Sequence, residues 1–599
     1  MATTNKLEAW ADKSDEDAAR TVSSLVTTLR RDQEWRHQRR ILLGTLYGEE
    51  TSRSMSGIAD ESTGPPHTLS LNICRTMVDA ATARIAARNP PKPTFTTEGA
   101  THAEREQARI MDRGLDGIFY LQKAKPKALR TFRSALIYGD AALMVDTWDG
   151  MPRISRALPG DLIVDERECD YGEPCRLYSR RRVDRAVLAA TFPHLRAEIM
   201  DANGEISMEY QDWGYDPADD QLVVTEGWSL PTMRGADDGR YIATLGDLPL
   251  ESFKWKRPRF PIARYVWDEP ERGWYGTGLV WELMGLQLEI NDLLDRICDA
   301  QRYVAGFWAV ERSSGIDPKS MNDERDRVLV YVGTEPKYIT PSAIPEQMYR
   351  HLWEMYDKAF QISGISQVSA SSQKPAGLVS GAALRAYRDD QSERFLHKSG
   401  AYEEFHCDLG RCVVDELGDL ASVGNVPIRS VTGGELRTID WKEASLPEKA
   451  FELQVLPSSG VPNTPAALIE FAEDLGKLQV FEPRQLAAIL GKGIPDIESL
   501  VFEANANEEL VKKMFAKIAD EGVYESPEPQ MKLDEAITVA QNAFLDYRRR
   551  GVDPARMDLM ARWIVAATKM FKDSQPPAPA PAGAPPAAMG PAPLGPGGP

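Results

Sequence analysis

The chain has 599 residues, 42% hydrophobic and 27% charged, with a formal charge of −19; domains of about 100–200 residues make that roughly three or four cores. The acidic balance excludes a general nucleic-acid binder, which needs clustered Lys and Arg to replace phosphate counterions, but suits a surface along which DNA slides without sticking. The polar N-terminal residues are no signal peptide, no apolar run approaches the roughly 20 residues of a membrane helix, and Cys74, Cys169, Cys175, Cys298, Cys407 and Cys412 form no Cys-x-x-Cys pair, so a cytosolic, reducing compartment and no membrane are expected.

In chain order, Asp15–Leu46 is predicted as one helix with Arg30, Arg31, Arg36, Arg39 and Arg40 on its second half. Leu69–Ala87 is an amphipathic helix stopped by Pro90-Pro91, and helices follow over Ala103–Leu121 and Lys125–Tyr138. The period then changes to two. Ala141–Asp146, Arg153–Ala157 and Leu162–Asp165 are predicted strands, with Asp149-Gly150 as the hairpin turn. Ile206–Gln211, Gln221–Leu230 and Tyr241–Leu245 continue the pattern, interrupted by a helix over Arg185–Leu195.

Gly276–Ala305 has the strongest helical pattern. Leu279, Leu283, Leu286, Ile290, Leu293 and Ile297 repeat at alternating spacings of four and three, a heptad seam. Short strands are predicted at Phe307–Glu311, Arg327–Val332 and Lys337–Thr340. A second patterned helix, Pro345–Ser363, carries Met348, Leu352, Met355, Ala359 and Ile362. Ser380–Ala421 is a long helix with Gly400 and Gly410 as candidate bends. Strands return over Val426–Leu456. Helices follow at Pro465–Leu478, Pro483–Leu490, Ile497–Asp520, Leu533–Arg549 and Asp553–Phe571, and Gln575–Pro599 is a Pro/Ala/Gly tract with almost no charge that cannot form a core. The expected class is α+β.

Enzyme signatures are scarce. The sequence has no phosphate-binding Gly-x-x-x-x-Gly-Lys-Ser/Thr loop and no Gly-x-Ser-x-Gly elbow. Ser371-Ser372-Gln373-Lys374 has Ser-x-x-Lys spacing, but Pro375 follows at once, where the catalytic motif opens a buried helix. His406, Cys407 and Cys412 lack the i, i+3 or i+4 spacing of ligands on one helix face. No catalytic residue, metal or cofactor is expected.

One stretch is more informative. Ile365–Phe395 begins as a loop of small polar residues, passes Lys374-Pro375-Ala376-Gly377, and breaks into a helix at Ser380. Upstream, a β-like insert lies between the two heptad-patterned helices. The order of parts from Leu69 to Leu500 resembles the portal proteins of tailed bacteriophages. ALIYGDAALMVD at Ala135–Asp146 resembles the helix–glycine–strand opening of a wing domain, and Gly276-Thr277-Gly278 the start of a stem helix.

The resemblance implies a portal-type subunit: N-terminal helices and wing over residues 1–275, stem helices at 276–305 and 345–363, and a small clip at 306–344. A tunnel loop would occupy 364–379, a long helix returning to the wing 380–460, a helical crown 461–574, and a disordered tail 575–599. It implies a ring, dodecameric by analogy, at one capsid vertex of the virion, assembled in the host cytoplasm. That ring would pass double-stranded DNA without sequence preference during packaging and ejection. It would dock the terminase large subunit and a head–tail adaptor, and contact the major capsid protein and a scaffolding protein. Ser366, Gln367, Ser369, Ser371, Ser372, Gln373 and Lys374 would form the loop facing DNA. Glu282, Glu289, Asp292, Asp295 and Asp299 would face the channel and repel phosphate. Leu279, Leu283, Leu286, Ile290, Leu293, Ile297, Met348, Leu352 and Met355 would pack between subunits. A multidomain cytosolic α+β enzyme, or another capsid-vertex or tail structural protein, stays open as an alternative.

Overall fold

The structure, a computed structural model, describes residues 10–48, 71–87, 91–97, 102–202, 220–233, 235–304, 307–312, 332–339, 346–365, 395–432, 435–441, 451–455, 507–508, 510–519, 521–549 and 552–574. They form a mixed α+β protein with two compact units, one of Met1–Thr96 with Ala108–Pro457, the other of Thr97–Gln107 with Ser458–Pro599.

In the first unit, α1 (Asp15–Asp32) starts on Ser14, whose Oγ accepts from Asp17 N. Asp15, Glu16 and Asp17 in its first turn and Arg30 and Arg31 in its last match the helix dipole. The single helix expected here is two. Gln33 leaves helical geometry between α1 and α2 (Glu34–Tyr47), and its side chain donates to Val164 O at 3.0 Å and accepts from Tyr275 OH at 3.2 Å. Tertiary hydrogen bonds at the joint override local helix propensity.

Next come α3 (Ile73–Thr82), continued by a π-turn over Ala83–Ala87, then β1 (Pro93–Thr96), α4 (His102–Leu121) and α5 (Ala124–Tyr138). The strands β2 (Asp140–Trp148) and β3 (Met151–Ala157) form the expected hairpin. Asp149 and Gly150 both take positive φ, 52° and 70°, as a tight two-residue turn requires. With β9 (Ile262–Val266) they make a three-stranded antiparallel sheet, order β3-β2-β9.

A second antiparallel sheet runs β4 (Leu162–Ile163), β5 (Arg176–Asp184), β6 (Gln221–Ser229), β7 (Arg240–Leu245) and β8 (Leu248–Lys254), with α6 (Arg185–Thr191) and α7 (Arg196–Asp201) between β5 and β6. Strands β1, β5, β8 and β9 were not expected from the sequence. Arg176, Arg180, Arg181 and Arg182 break the alternation in β5; in the fold Arg180 is buried, and Arg181 bonds Asp146 and Glu226.

The helices α8 (Leu279–Val304) and α9 (Glu346–Ser363) flank a β10 (Phe307–Ala309)–β11 (Lys337–Ile339) pair. Then α10 (Leu396–Val423) runs unbroken through Gly400 and Gly410. Neither glycine interrupts the helix. A Cβ on Gly410 would lie 3.1 Å from Leu453 Cδ2, so close packing is what suits glycine there. The hairpin β12 (Pro427–Thr432)–β13 (Glu435–Asp440) follows, and β14 (Glu452–Val455) pairs with β1.

The main core gathers α3, α5, α8 and α10 around the rings of Phe132, Tyr265, Tyr402 and Phe405; Phe132 lies 4.9 Å from both Tyr265 and Tyr402. In the second unit, residues 510–519, α11 (Leu533–Arg549) and α12 (Pro554–Ser574) enclose their own core, in which Phe515 meets Trp563 edge-on at 5.3 Å. The predicted strand Ile206–Gln211, the first part of the helix predicted at Ser380–Ala421, the helices predicted at Pro465–Leu478 and Pro483–Leu490, and the tail lie outside the described residues.

Candidate functional site

The two patterned helices are set by a backbone junction. Helix α5 ends at Gly139, whose φ is +111°. The turn before α8 lies directly on it. A Cβ on Gly139 would come within 2.2 Å of Gly276 O, one on Gly276 within 2.4 Å of Val266 Cγ1, and one on Gly278 within 2.6 Å of Leu136 O. Contacts under 3 Å force backbone to move, so these positions need the missing side chain. The glycines of ALIYGDAALMVD and Gly276-Thr277-Gly278, far apart in the sequence, are one packed joint.

From that joint α8 crosses α2, α3 and α5 and packs along α9. Leu279, Leu283, Ile290, Leu293 and Ile297 are at most 5% exposed, and Leu352 is 7% exposed. Leu286, Met348 and Met355 are partly buried against the same core. Within one chain these residues pack on helices of the same subunit, with Leu286, Met348 and Met355 still partly exposed. A heptad seam seeks apolar cover, and here α2, α3, α5 and α9 of the same chain provide it. Ile362, the last residue of the second pattern, is exposed.

Gln287, in the middle of α8, is 2% exposed. Its Oε1 accepts from Ile73 N at 2.8 Å and Cys74 N at 3.3 Å, and its Nε2 donates to Leu71 O and Asn291 Oδ1. It therefore caps the first turn of α3 together with Asn72, whose Oδ1 accepts from Arg75 N. Nothing in the sequence pattern marks it, because a lone glutamine between apolar positions looks solvent-facing.

The opposite face of α8 is exposed. Glu282, Glu289, Asp292 and Asp295 lie on it; the side chain of Asp299 lies outside the described residues. Asp292 pairs with Arg296 at 2.7 Å, an exposed contact of little energetic weight. Partial loss of water, then the Asp268 carboxylate, push the Glu282 carboxyl above its ordinary range. Trp281 and Leu288 share that face of α8, and Trp353 and Ile362 are exposed on α9, all four more than a third exposed. The Arg39 guanidinium lies 3.6 Å from the Trp281 ring centre.

Loop residues Ser366, Gln367, Ser369, Ser371, Ser372, Gln373 and Lys374 lie outside the described residues, so the loop is not placed against the helices. Gly364 and Ile365, at the end of α9, are described; Gly364 has φ +67° and Ile365 is 2% exposed.

The His/Cys group of α10 is core. His406 is 3% exposed, its Nδ1 lies 2.9 Å from Tyr402 O, and its ring meets Tyr402 edge-on at 4.6 Å. Burial pushes its pKa down to about 4, so the ring is neutral at neutral pH. Burial likewise raises the Cys407 and Cys412 thiols, away from the thiolate needed for metal binding or attack. Among the described residues no group of three or more His, Cys, Asp or Glu side chains is arranged to hold a metal ion, and no helix is long and apolar enough to cross a membrane.

No protein-family model matches the chain, and no curated protein matches its sequence.

Proposed function

We propose that the chain is a portal-type subunit. Copies of it form a ring at one vertex of a viral capsid, and the ring conducts double-stranded DNA during genome packaging and ejection. The observation that carries this is the paired-helix unit of α8 and α9. Its inner seam is largely covered by its own chain, while the outer face of α8 combines four exposed acids with Trp281 and Leu288, and Trp353 stands exposed on α9. Trp281 and Leu288, seven residues apart and so on one face of α8, are exposed large apolar side chains of the kind that favour a protein partner. A closed ring covers them with the next copy and leaves no free edge.

In that ring Glu282, Glu289, Asp292 and Asp295, with Asp299, line part of the channel. Their repeated negative charge keeps phosphates from adhering. The loop from Ser366 to Lys374 reaches into the channel, with one lysine per copy touching the DNA backbone without reading sequence. The β10–β11 region serves as the clip that docks the terminase large subunit and later a head–tail adaptor, and ATP hydrolysis belongs to that motor. The capsid and scaffolding proteins surround the ring from outside. Light scattering on the purified chain tests the assembly: a closed ring of many 66.6 kDa copies supports it, and a monomer at high concentration refutes it.

A further inference from the structure

A cleft of about 800 Å³ opens between the β3-β2-β9 sheet and the β4-to-β8 sheet, closed in part by α6 and by Glu416 of α10; it contains no residue of α8 or α9 and is independent of the ring proposal. Its size is that of a small-molecule site. One wall is aromatic. Trp228, Tyr241, Phe253 and Trp255 form a continuous run: Trp228–Tyr241 at 5.4 Å, Tyr241–Phe253 at 4.7 Å and Phe253–Trp255 at 6.3 Å between ring centres.

Five residues of the cleft, Asp146, Arg153, Arg181, Glu226 and Tyr241, form a linked network with a vacancy at Glu226. Asp146 accepts from Arg153 Nε at 2.8 Å and from Arg181 Nη1 at 2.9 Å. Glu226, 5% exposed, accepts from Arg181 Nη2 at 2.7 Å and Tyr241 OH at 3.1 Å, both on Oε1. Its Oε2 is buried without a hydrogen-bond partner. A buried carboxylate oxygen left without a donor is costly, because it has given up water and gained no hydrogen bond in return. Of the three arginines that line the cleft, Arg153 and Arg181 are committed to Asp146 and Glu226, and Arg182 is offset by Asp184, Glu251 and Glu416 of the same lining.

We propose that this cleft binds an alkylammonium group, with its methylenes along the aromatic run and its nitrogen donating to Glu226 Oε2. Ring faces attract cations, more strongly when water is displaced, and an ammonium–carboxylate hydrogen bond is among the stronger kind. Glu251, on the same wall, adds negative charge beside the rings. A free diamine and a lysine side chain of another polypeptide offer the same chemistry.

Titration calorimetry on the full chain tests this with three probes: putrescine, N-acetyl-lysine methylamide and the uncharged 1,4-butanediol. Saturable binding of putrescine alone assigns a free amine; binding of the capped lysine at least as tightly assigns a protein side chain. Either result should weaken about tenfold or more in Glu226→Gln. Because that substitution disturbs a buried pair, Phe253→Ala is the second variant. Phe253 is 45% exposed, so the fold should survive its loss while affinity falls several-fold. No saturable binding of either amine, equal binding of 1,4-butanediol, or unchanged affinity in a folded Phe253→Ala variant would overturn the proposal.

Discussion

Single residues decide how the elements meet. The Gly139 joint is the sharpest case, because its φ and its contact with Gly276 O both forbid a side chain. Gly139→Ala should destabilise the first unit by about 3 kcal/mol, the scale of a strained backbone position, seen as a lower melting temperature with the second unit's transition unchanged. Asp112 gives a pH signature. Its Oδ1 accepts from Phe95 N in β1, and burial raises its pKa to about 6. A carboxyl raised in the fold contributes stability that is complete below about pH 4 and is lost as pH rises through about 6. Asp112→Asn keeps the acceptor and removes the charge. The variant should therefore gain thermal stability relative to the parent as pH rises from 4 to 7, and a constant difference across that range would contradict this assignment. Some of this scale was readable from the sequence: Asp149-Gly150 names its own turn, since few other pairs take two positive φ values. Gln287 and Glu226 were not readable, because their roles depend on backbone and side chains that arrive from distant segments.

At the scale of elements, the heptad pattern of α8 identifies a buried face but not what buries it. The same spacing serves a neighbouring copy or helices of the same chain, and here α2, α3, α5 and α9 fill it. Two substitutions separate the inner and outer faces. Ile290→Ala, at a position 0% exposed, should cost about 2–5 kcal/mol of folding stability and lower the melting temperature of the isolated subunit. Trp353→Ala, at a position 59% exposed, should leave the subunit folded, within about 0.5 kcal/mol, and weaken assembly as judged by sedimentation. The reverse pattern would place the seam at the subunit boundary. Strand β5 was hidden for a related reason: its arginines look like solvent-facing residues, yet Arg180 is buried and Arg181 bonds Asp146 and the buried Glu226. Strands β1 and β14 pair across most of the first unit's sequence, and no local pattern announces a partner that far away.

For the whole molecule, composition and period were enough to place the chain among α+β proteins, while assembly and cargo are properties of many copies. Lys374→Ala should leave ring formation intact and reduce DNA packaging or retention in a particle assay; failure to assemble would mean that the segment belongs to a subunit contact instead. The most direct test is electron microscopy of the purified full-length chain in negative stain. Closed rings with a stain-filled axial channel are predicted, and solitary particles without a perforation at every concentration would contradict the conduit.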